Sequence, residues 1–202
     1  MAAALRRIVL IQGHPDRSGG HFCHALADRY VSGARTAGHR VDLIELAAMD
    51  LPFLRSRDDL RRGPPPEGVA RAQAAMLASD HIVVIHPIWN GGAPALVRTF
   101  MEQAFRPSFT FPDADANTNL SFLSAFRERK ALHGKTANVI VTMQMPAIVY
   151  RLLFRPHQEA SALWLAGVRP VRQTPIGGVE SANGDNRQSW LNRVQAMGER
   201  AA

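Results

Sequence analysis

The sequence predicts an α/β fold, with one open, mostly parallel sheet and helices on both of its faces. Three observations carry that prediction. Short continuous apolar runs such as Ile8-Val9-Leu10-Ile11 and Ile82-Val83-Val84-Ile85 have the make-up of strands buried on both sides. Between such runs lie segments whose apolar residues recur every three to four positions, the period of a helix. Strand and helix signals alternate along the whole chain, which is the pattern of parallel βαβ units.

The first strand, residues 8–11, leads into a polar, glycine-bearing loop from Gly13 to Gly20. A helix follows, with Phe22, Leu26, Tyr30 and Ala34 along one stripe, and Gly38 is placed to end it. Val41, Leu43, Ile44 and Leu46 make a second strand, and the proline- and arginine-rich stretch from Pro52 to Pro66 reads as loop. A helix around Val69 to Leu77 precedes the third strand, Ile82 to Ile85. Beyond a loop at Pro87 to Ala93, Pro94 suits the first turn of a helix carrying Leu96, Phe100, Met101, Ala104 and Phe105. The fourth strand, Val139 to Val141, follows a turn at His133-Gly134-Lys135. A helical segment near Glu159 to Leu165, a fifth strand around Val171 to Ile176 and a helix with Trp190, Leu191, Val194 and Met197 complete the chain. Five strands suit a single domain over residues 1–202, a flavodoxin-like three-layer αβα sandwich with strand order 2-1-3-4-5. The stretch from Arg106 to Gly134 is longer than a βαβ connection needs, and such stretches are usually functional or disordered.

Composition narrows the function classes. With 46% hydrophobic and 20% charged residues, the chain resembles an ordinary globular protein, which excludes disorder as its main state. No stretch is apolar for long enough to cross a bilayer; the nearest, Asn138 to Phe154, is interrupted by Gln144, Pro146 and Arg151. Arg6 and Arg7 precede a short apolar run that ends in Gly13-His14-Pro15-Asp16 with no cleavage site, so a cytoplasmic protein is expected. Cys23 is the only cysteine, which excludes an intrachain disulfide and a multi-cysteine zinc site. The formal net charge is +7, but the basic residues are scattered, with only short clusters such as Arg55, Arg57, Arg61 and Arg62. That is a solvated surface, or at most mild steering of phosphate-bearing cofactors or anionic membrane surfaces. The charged stripe or aromatic interleaving of a nucleic-acid binder is missing.

In a doubly wound sheet, ligands bind at the carboxyl ends of the strands, near the switch in strand order. Three loops leave such ends: Gly13 to Phe22, Pro87 to Ala93, and Met143 to Tyr150. In the first, Ser18, Gly19 and Gly20 stand just before a helix and can present N–H groups and a hydroxyl to a phosphate, with His14 and Arg17 as further donors. The same residues also suit an ordinary start to a helix, because neither G-x-G-x-x-G nor a Walker A loop is present. His21, Cys23 and His24 lack the paired spacing of zinc sites, so no metal is expected. In the second loop, Gly91 and Gly92 let backbone approach a planar ligand and Trp89 can lie against a ring; alternatively, Trp89 fills the core beside a tight connection.

The run Pro87-Ile88-Trp89-Asn90-Gly91-Gly92-Ala93-Pro94-Ala95-Leu96 resembles the flavin-contacting segment of the NAD(P)H:quinone oxidoreductase family, also called the flavodoxin-2 family. Phe105-Arg106-Pro107-Ser108-Phe109-Thr110-Phe111 resembles the segment after that family's next helix, where Gly is usual in place of Ser108. Leu132-His133-Gly134-Lys135 resembles the lead into the fourth strand, and Gly13-His14-Pro15 and Phe22 sit where the phosphate loop begins and ends. The resemblance implies a tightly held FMN or FAD. His14, Ser18, His21, Phe22 and Cys23 would lie along its phosphate and ribityl chain. Pro87, Ile88, Trp89, Asn90 and Gly91 would border the isoalloxazine, as would Thr142, Met143, Gln144 and Met145. Tyr150 and His157 match a Tyr and a His that donate hydrogen bonds or protons near the flavin, which makes them the expected catalytic pair. NAD(P)H as hydride donor, a quinone or similar planar acceptor, and a homodimer are implied with them. The chain departs from the family at Thr142-Met143-Gln144-Met145, where Thr-Thr-Gly-Gly is common, and at Asn90, where a bulkier or amide side chain is more usual. The Tyr-to-His spacing is one residue longer. The alternative expectation is a flavin-carrying ancillary subunit of a membrane transport system, docked through the Pro52 to Pro66 loop.

Overall fold

A computed structural model describes residues 4–61, 63–112, 129–153 and 158–202. Its centre is a five-stranded, all-parallel sheet of β1 (Arg7–Gln12), β2 (Arg40–Glu45), β3 (His81–Pro87), β4 (Thr136–Thr142) and β5 (Val171–Ile176), in the order β2-β1-β3-β4-β5. This is the expected order, and the switch between β1 and β3 opens the carboxyl ends of both strands to a ligand.

Period-two alternation sorts the core into two halves. Ile8, Leu10, Val83, Ile85, Ile140 and Ile176 face α1 (Phe22–Thr36) and the final helix, and they pack on Leu26, Tyr30, Ala34 and Val194. Val9, Ile11, Ile82, Val84, Val139 and Val141 face the opposite side. There they meet Val69, Ala72 and Met76 of α3 (Glu67–Ala78) and Val97, Phe100, Met101 and Ala104 of α4 (Ala95–Ala104). The two edge strands carry the devices that discourage further pairing: Arg40, Asp42 and Glu45 on β2, and Pro175 on β5.

Several segments read as loop fold locally. Within Pro52 to Pro66, α2 (Arg57–Arg61) is started by Asp59, whose carboxylate accepts the Arg55 and Ser56 N–H groups at 2.9 and 3.0 Å. That stretch is tied to the body, because Gln103 donates to the Pro52 carbonyl at 2.6 Å and Arg106 donates to that of Gly63. The long Arg106 to Gly134 region opens with α5 (Pro107–Thr110), and residues 113–128 lie outside the described part. Leu46, expected at the end of β2, sits in a 3₁₀ turn instead. Beyond β4, α6 (Ala147–Leu153) occupies much of the third expected loop, and α7 (Gln158–Leu165) precedes β5. Pro146 starts α6, and nothing after it in Ala147-Ile148-Val149-Tyr150-Arg151-Leu152-Leu153 breaks a helix. The last helix, α8 (Gly184–Arg200), starts at Asn183, whose side chain accepts the Asn186 N–H at 2.9 Å.

Candidate functional site

The first loop is organised by Asp16. Its carboxylate accepts the Ser18 N–H at 2.8 Å and His21 Nε2 at 2.7 Å, while its own N–H donates to His14 Nδ1 at 3.2 Å. The hydrogen bond from His21 holds the Asp16 carboxyl well below the usual carboxylate range, helped by Ser18. His14 and His21 stack with ring centroids 3.9 Å apart, and His24 stands 5.2 Å from the first and 5.7 Å from the second. Burial lowers the pKa of His14, and the two neighbouring imidazoles lower it further. Three imidazoles in one cluster with Asp16 as their one acidic partner among the described residues form a place that an anion would complete. His24 Nδ1 is buried without a partner among the described residues.

The loop delivers this cluster to the start of α1. The residue preceding that helix, His21, makes no capping hydrogen bond, and the first turn carries no acidic side chain. A fifteen-residue helix thus presents its positive end and the N–H groups of Phe22 and Cys23 without a hydrogen-bond partner among the described residues. Gly19 and Gly20 have φ of 77° and 76°, and a Cβ on either would meet nothing within 4 Å, so the backbone lies open to a ligand. The Cys23 side chain turns away: its Sγ is 3.2 Å from Thr142 Oγ1, and burial pushes the thiol up to about 11. Only the backbone of Cys23 is available to a phosphate, and the thiol is structural.

The second loop is a two-residue hairpin. Trp89 and Gly92 exchange N–H···O bonds of 2.8 and 3.0 Å, and Asn90 and Gly91 at the tip have φ of 49° and 79°. Two left-handed residues in succession favour Asn-Gly, which explains Asn90 by backbone conformation rather than by contact with a ring. The sequence signal was the Asn-Gly pair itself, read above only as part of a glycine-rich stretch. Trp89 is 51% exposed, which excludes the core-filling alternative. Pro87 ends β3 in the interior, and the Ile88 N–H donates to the Thr142 carbonyl at 2.7 Å.

In the third loop, Thr142 and Met143 are buried, Met145 is half-buried, and Gln144 is exposed. The Met143 N–H donates to Ile176 at 2.9 Å and its carbonyl accepts from Val179 at 3.2 Å. Met143 therefore packs into the core. A fourth turn, Gly177-Gly178-Val179 after β5, closes on this loop; a Cβ on Gly177 would stand 2.5 Å from the Met145 carbonyl oxygen. The sequence reading missed it, although Ile176-Gly177-Gly178 repeats the pattern of an apolar strand ending in glycines. The turn lines a cavity of about 270 Å³ with Phe22, Arg187 and Trp190, in which Arg187 lies 5.8 Å from the centre of the Phe22 ring.

The three expected loops meet. Cys23 bonds Thr142, Ile88 bonds Thr142, and the rings of His14 and Trp89 approach edge-on at 6.2 Å. The Ile88 N–H is consumed in joining the second loop to the end of β4, that of Trp89 in closing its own hairpin, and that of Met143 in pairing with the end of β5. The N–H groups of Asn90, Gly91, Gln144 and Met145 have no backbone acceptor among the described residues. Of the expected catalytic pair, Tyr150 is a buried residue of α6 rather than of a loop, and His157 falls outside the described residues. Among the described residues there is no cluster fit to hold a metal ion, and no helix is long and apolar enough to cross a membrane.

Comparison with known proteins agrees with this architecture. The model of the Flavodoxin_2 family, described by its flavodoxin-like fold, matches residues 6–197. A curated FMN-dependent NADH:quinone oxidoreductase of Ruegeria pomeroyi is 29% identical over 138 residues, which is 61% of this chain and 66% of that protein. A crystal structure of Smu.1420 from Streptococcus mutans UA159 superposes with a TM-score of 0.75 at 20% identity, over 96% of this chain and 98% of the other. An NAD(P)H:quinone oxidoreductase from Methanothermobacter marburgensis gives a TM-score of 0.74 at 17% identity, over 97% and 96%.

Proposed function

Since the chain belongs to the Flavodoxin_2 family, whose model spans residues 6–197, we propose that it is an FMN-dependent NAD(P)H:quinone oxidoreductase. The observation that carries this reading is the meeting of the His14–His21–His24 cluster and the uncapped start of α1 with the exposed Trp89 hairpin at one rim. The preference for FMN over FAD, and for NADH as donor, follows the relative from Ruegeria pomeroyi.

In this reading the phosphate sits on the Phe22 and Cys23 N–H groups, with Ser18, His14 and His21 as further donors. Trp89 lies against the planar ring system, and Pro87 and Ile88 support its edge. Bound FMN would supply the two-electron carrier between a reduced nicotinamide and a quinone-type acceptor. The N–H groups of Asn90, Gly91, Gln144 and Met145 are placed to donate where negative charge gathers on reduction, as oxyanion donors do elsewhere. Thr142 and Met143 hold that loop from beneath. Tyr150 and His157 are assigned the donation of protons at the same edge. A homodimer is part of the reading, since Ile148, Val149 and Leu152 of α6 and Trp89 expose apolar surface that a second copy would cover. A cytoplasmic location completes it.

The test is direct. Purified protein should be yellow, release FMN on denaturation as identified by mass, and oxidise NADH in the presence of a quinone. Protein that stays colourless and shows no spectral change on addition of FMN or FAD overturns the proposal.

A further inference from the structure

The strands are all parallel, so their amino-terminal ends form a second rim, roughly 20 Å from the first at about 3.3 Å per residue. On the α1/α8 face of that rim, the alternation that sends Ile8, Val83, Ile140 and Ile176 inward also places Arg6, His81, Thr136 and Arg172 side by side. Ile8 pairs with His81, His81 with Thr136, and Asn138 with Arg172, so the four positions run in order from the residue just before β1 across β3, β4 and β5. The end of α8 lies against them, and the cavity, open to solvent on one side, measures about 300 Å³ and is bounded also by Pro170, Arg200, Ala201 and Ala202.

The charges here are unbalanced. Three guanidinium groups line the cavity and no acidic side chain does. Arg6 is accounted for, because its Nη1 donates to the Ala201 carbonyl at 3.3 Å and completes the last turn of α8. Arg172 and Arg200 have no hydrogen-bond or ion-pair partner among the described residues. The nearby Asp80 is engaged by the Arg7 N–H at 2.8 Å.

His81 is a second, independent sign. It is 2% exposed, its Nδ1 stands 2.7 Å from Thr136 Oγ1, and its Nε2 is buried with no partner among the described residues. A buried polar atom left unmade costs about 1–3 kcal/mol, so such atoms ordinarily find a partner. In the tautomer in which the Thr136 hydroxyl donates to Nδ1, the neutral imidazole carries its proton on Nε2 and is a donor there. Two free guanidiniums beside a neutral N–H donor are a set suited to an oxyanion, since guanidinium matches phosphate geometry and a neutral donor adds no repulsion. The volume is at the lower end of ligand pockets, about 300–1,000 Å³, and exceeds what inorganic phosphate alone would fill.

We propose that this cavity is a second ligand site, for a small phosphate-bearing anion held by Arg172, Arg200 and His81 at the end of the sheet opposite the flavin loops. It stands independently of the flavin reading, because none of its residues lies on the carboxyl-end rim. The test titrates pyrophosphate by calorimetry into FMN-loaded protein freed of excess FMN, at constant ionic strength, alongside the double variant Arg172→Gln/Arg200→Gln. The expected result is saturable one-to-one binding that weakens at least tenfold in the variant. FMN content and ligand-free melting temperature should not change, because both arginines are exposed. A readout needing no variant is the ¹⁵N spectrum of the histidines, in which the His81 Nε2 signal should shift on titration and those of His14, His21 and His24 should not. Absence of saturable binding, equal affinity in the variant, or a shift confined to the first-loop histidines would overturn the proposal.

Discussion

Replacing Gly198 by Ala separates what helix propensity predicts from what the packed structure demands. Propensity alone makes the change stabilising, by about 1 kcal/mol for Ala over Gly in a helix interior. The structure predicts the opposite sign. A Cβ on Gly198 would stand 2.9 Å from the Ala34 amide nitrogen and closer still to the Tyr30 carbonyl oxygen. Both are backbone atoms of α1, so no side chain can swing aside and the two helices must part. Overpacking of this kind costs about 1–3 kcal/mol, and contact with backbone belongs at the upper end of that range. After the propensity gain, a net loss of about 2 kcal/mol remains, which for a chain of this length lowers the melting temperature by about 4–8 °C. The control lies in the same helix: a Cβ on Gly184 meets nothing within 4 Å, so Gly184→Ala should leave the melting temperature unchanged or slightly raised. Thermal unfolding followed by circular dichroism reads both. A Gly198→Ala protein as stable as the parent would refute the close α1–α8 contact, and with it the placement of the start of α1.

Burial, first of all, holds His81 and His86 near a pKa of about 4 against an ordinary 6.5. Each folded imidazole thus binds a proton less readily than its unfolded counterpart, so its contribution is present above pH 6.5 and is lost as the pH falls towards 4. Urea unfolding of flavin-free protein should show stability falling through that window, and a flat profile would contradict the burial. An anion at the first loop reverses the lowered pKa of His14, so FMN should bind several-fold more tightly at pH 7 than at pH 8 while riboflavin shows no such trend; fluorescence quenching measures both. Gly91→Val forces a β-branched side chain to φ of 79°, a conformation costing ordinary residues about 1–2 kcal/mol, and should weaken FMN binding about tenfold. Cys23, with its thiol pushed up to about 11, should resist thiol reagents at pH 8 in native protein and react at once in denaturant. Rapid labelling of the native form would remove its bond to Thr142.

The three central strands were legible because burial on both faces writes itself as unbroken apolar runs such as residues 82–85, and the edge strands, their order and the αβα layering followed from the alternation of strand and helix signals. The three ligand-side loops were legible too, as strand ends followed by Pro, Gly and His. What stayed hidden depends on neighbours distant along the chain. Ser56 and Asp59 start a short helix in a stretch rich in proline and arginine, and Gln103 and Arg106 pin it from another element. Nothing local tells that the Cys23 thiol meets Thr142, 119 residues away, or that Met143 turns inward while Gln144 turns out.

Residue order alone therefore determined the strands and the longer helices, and which turns gather at the carboxyl rim, because periodicity and turn chemistry act over a few residues. The tertiary structure decided which side chains those turns leave free. It spent Cys23 and the Ile88, Trp89 and Met143 N–H groups on bonds within the fold, left the start of α1 uncapped, and lined up Arg6, His81 and Arg172 at the amino ends of three strands. The reason is physical: a donor is available to a ligand only when no other part of the fold has reached it first, and that is settled by packing between elements far apart in sequence.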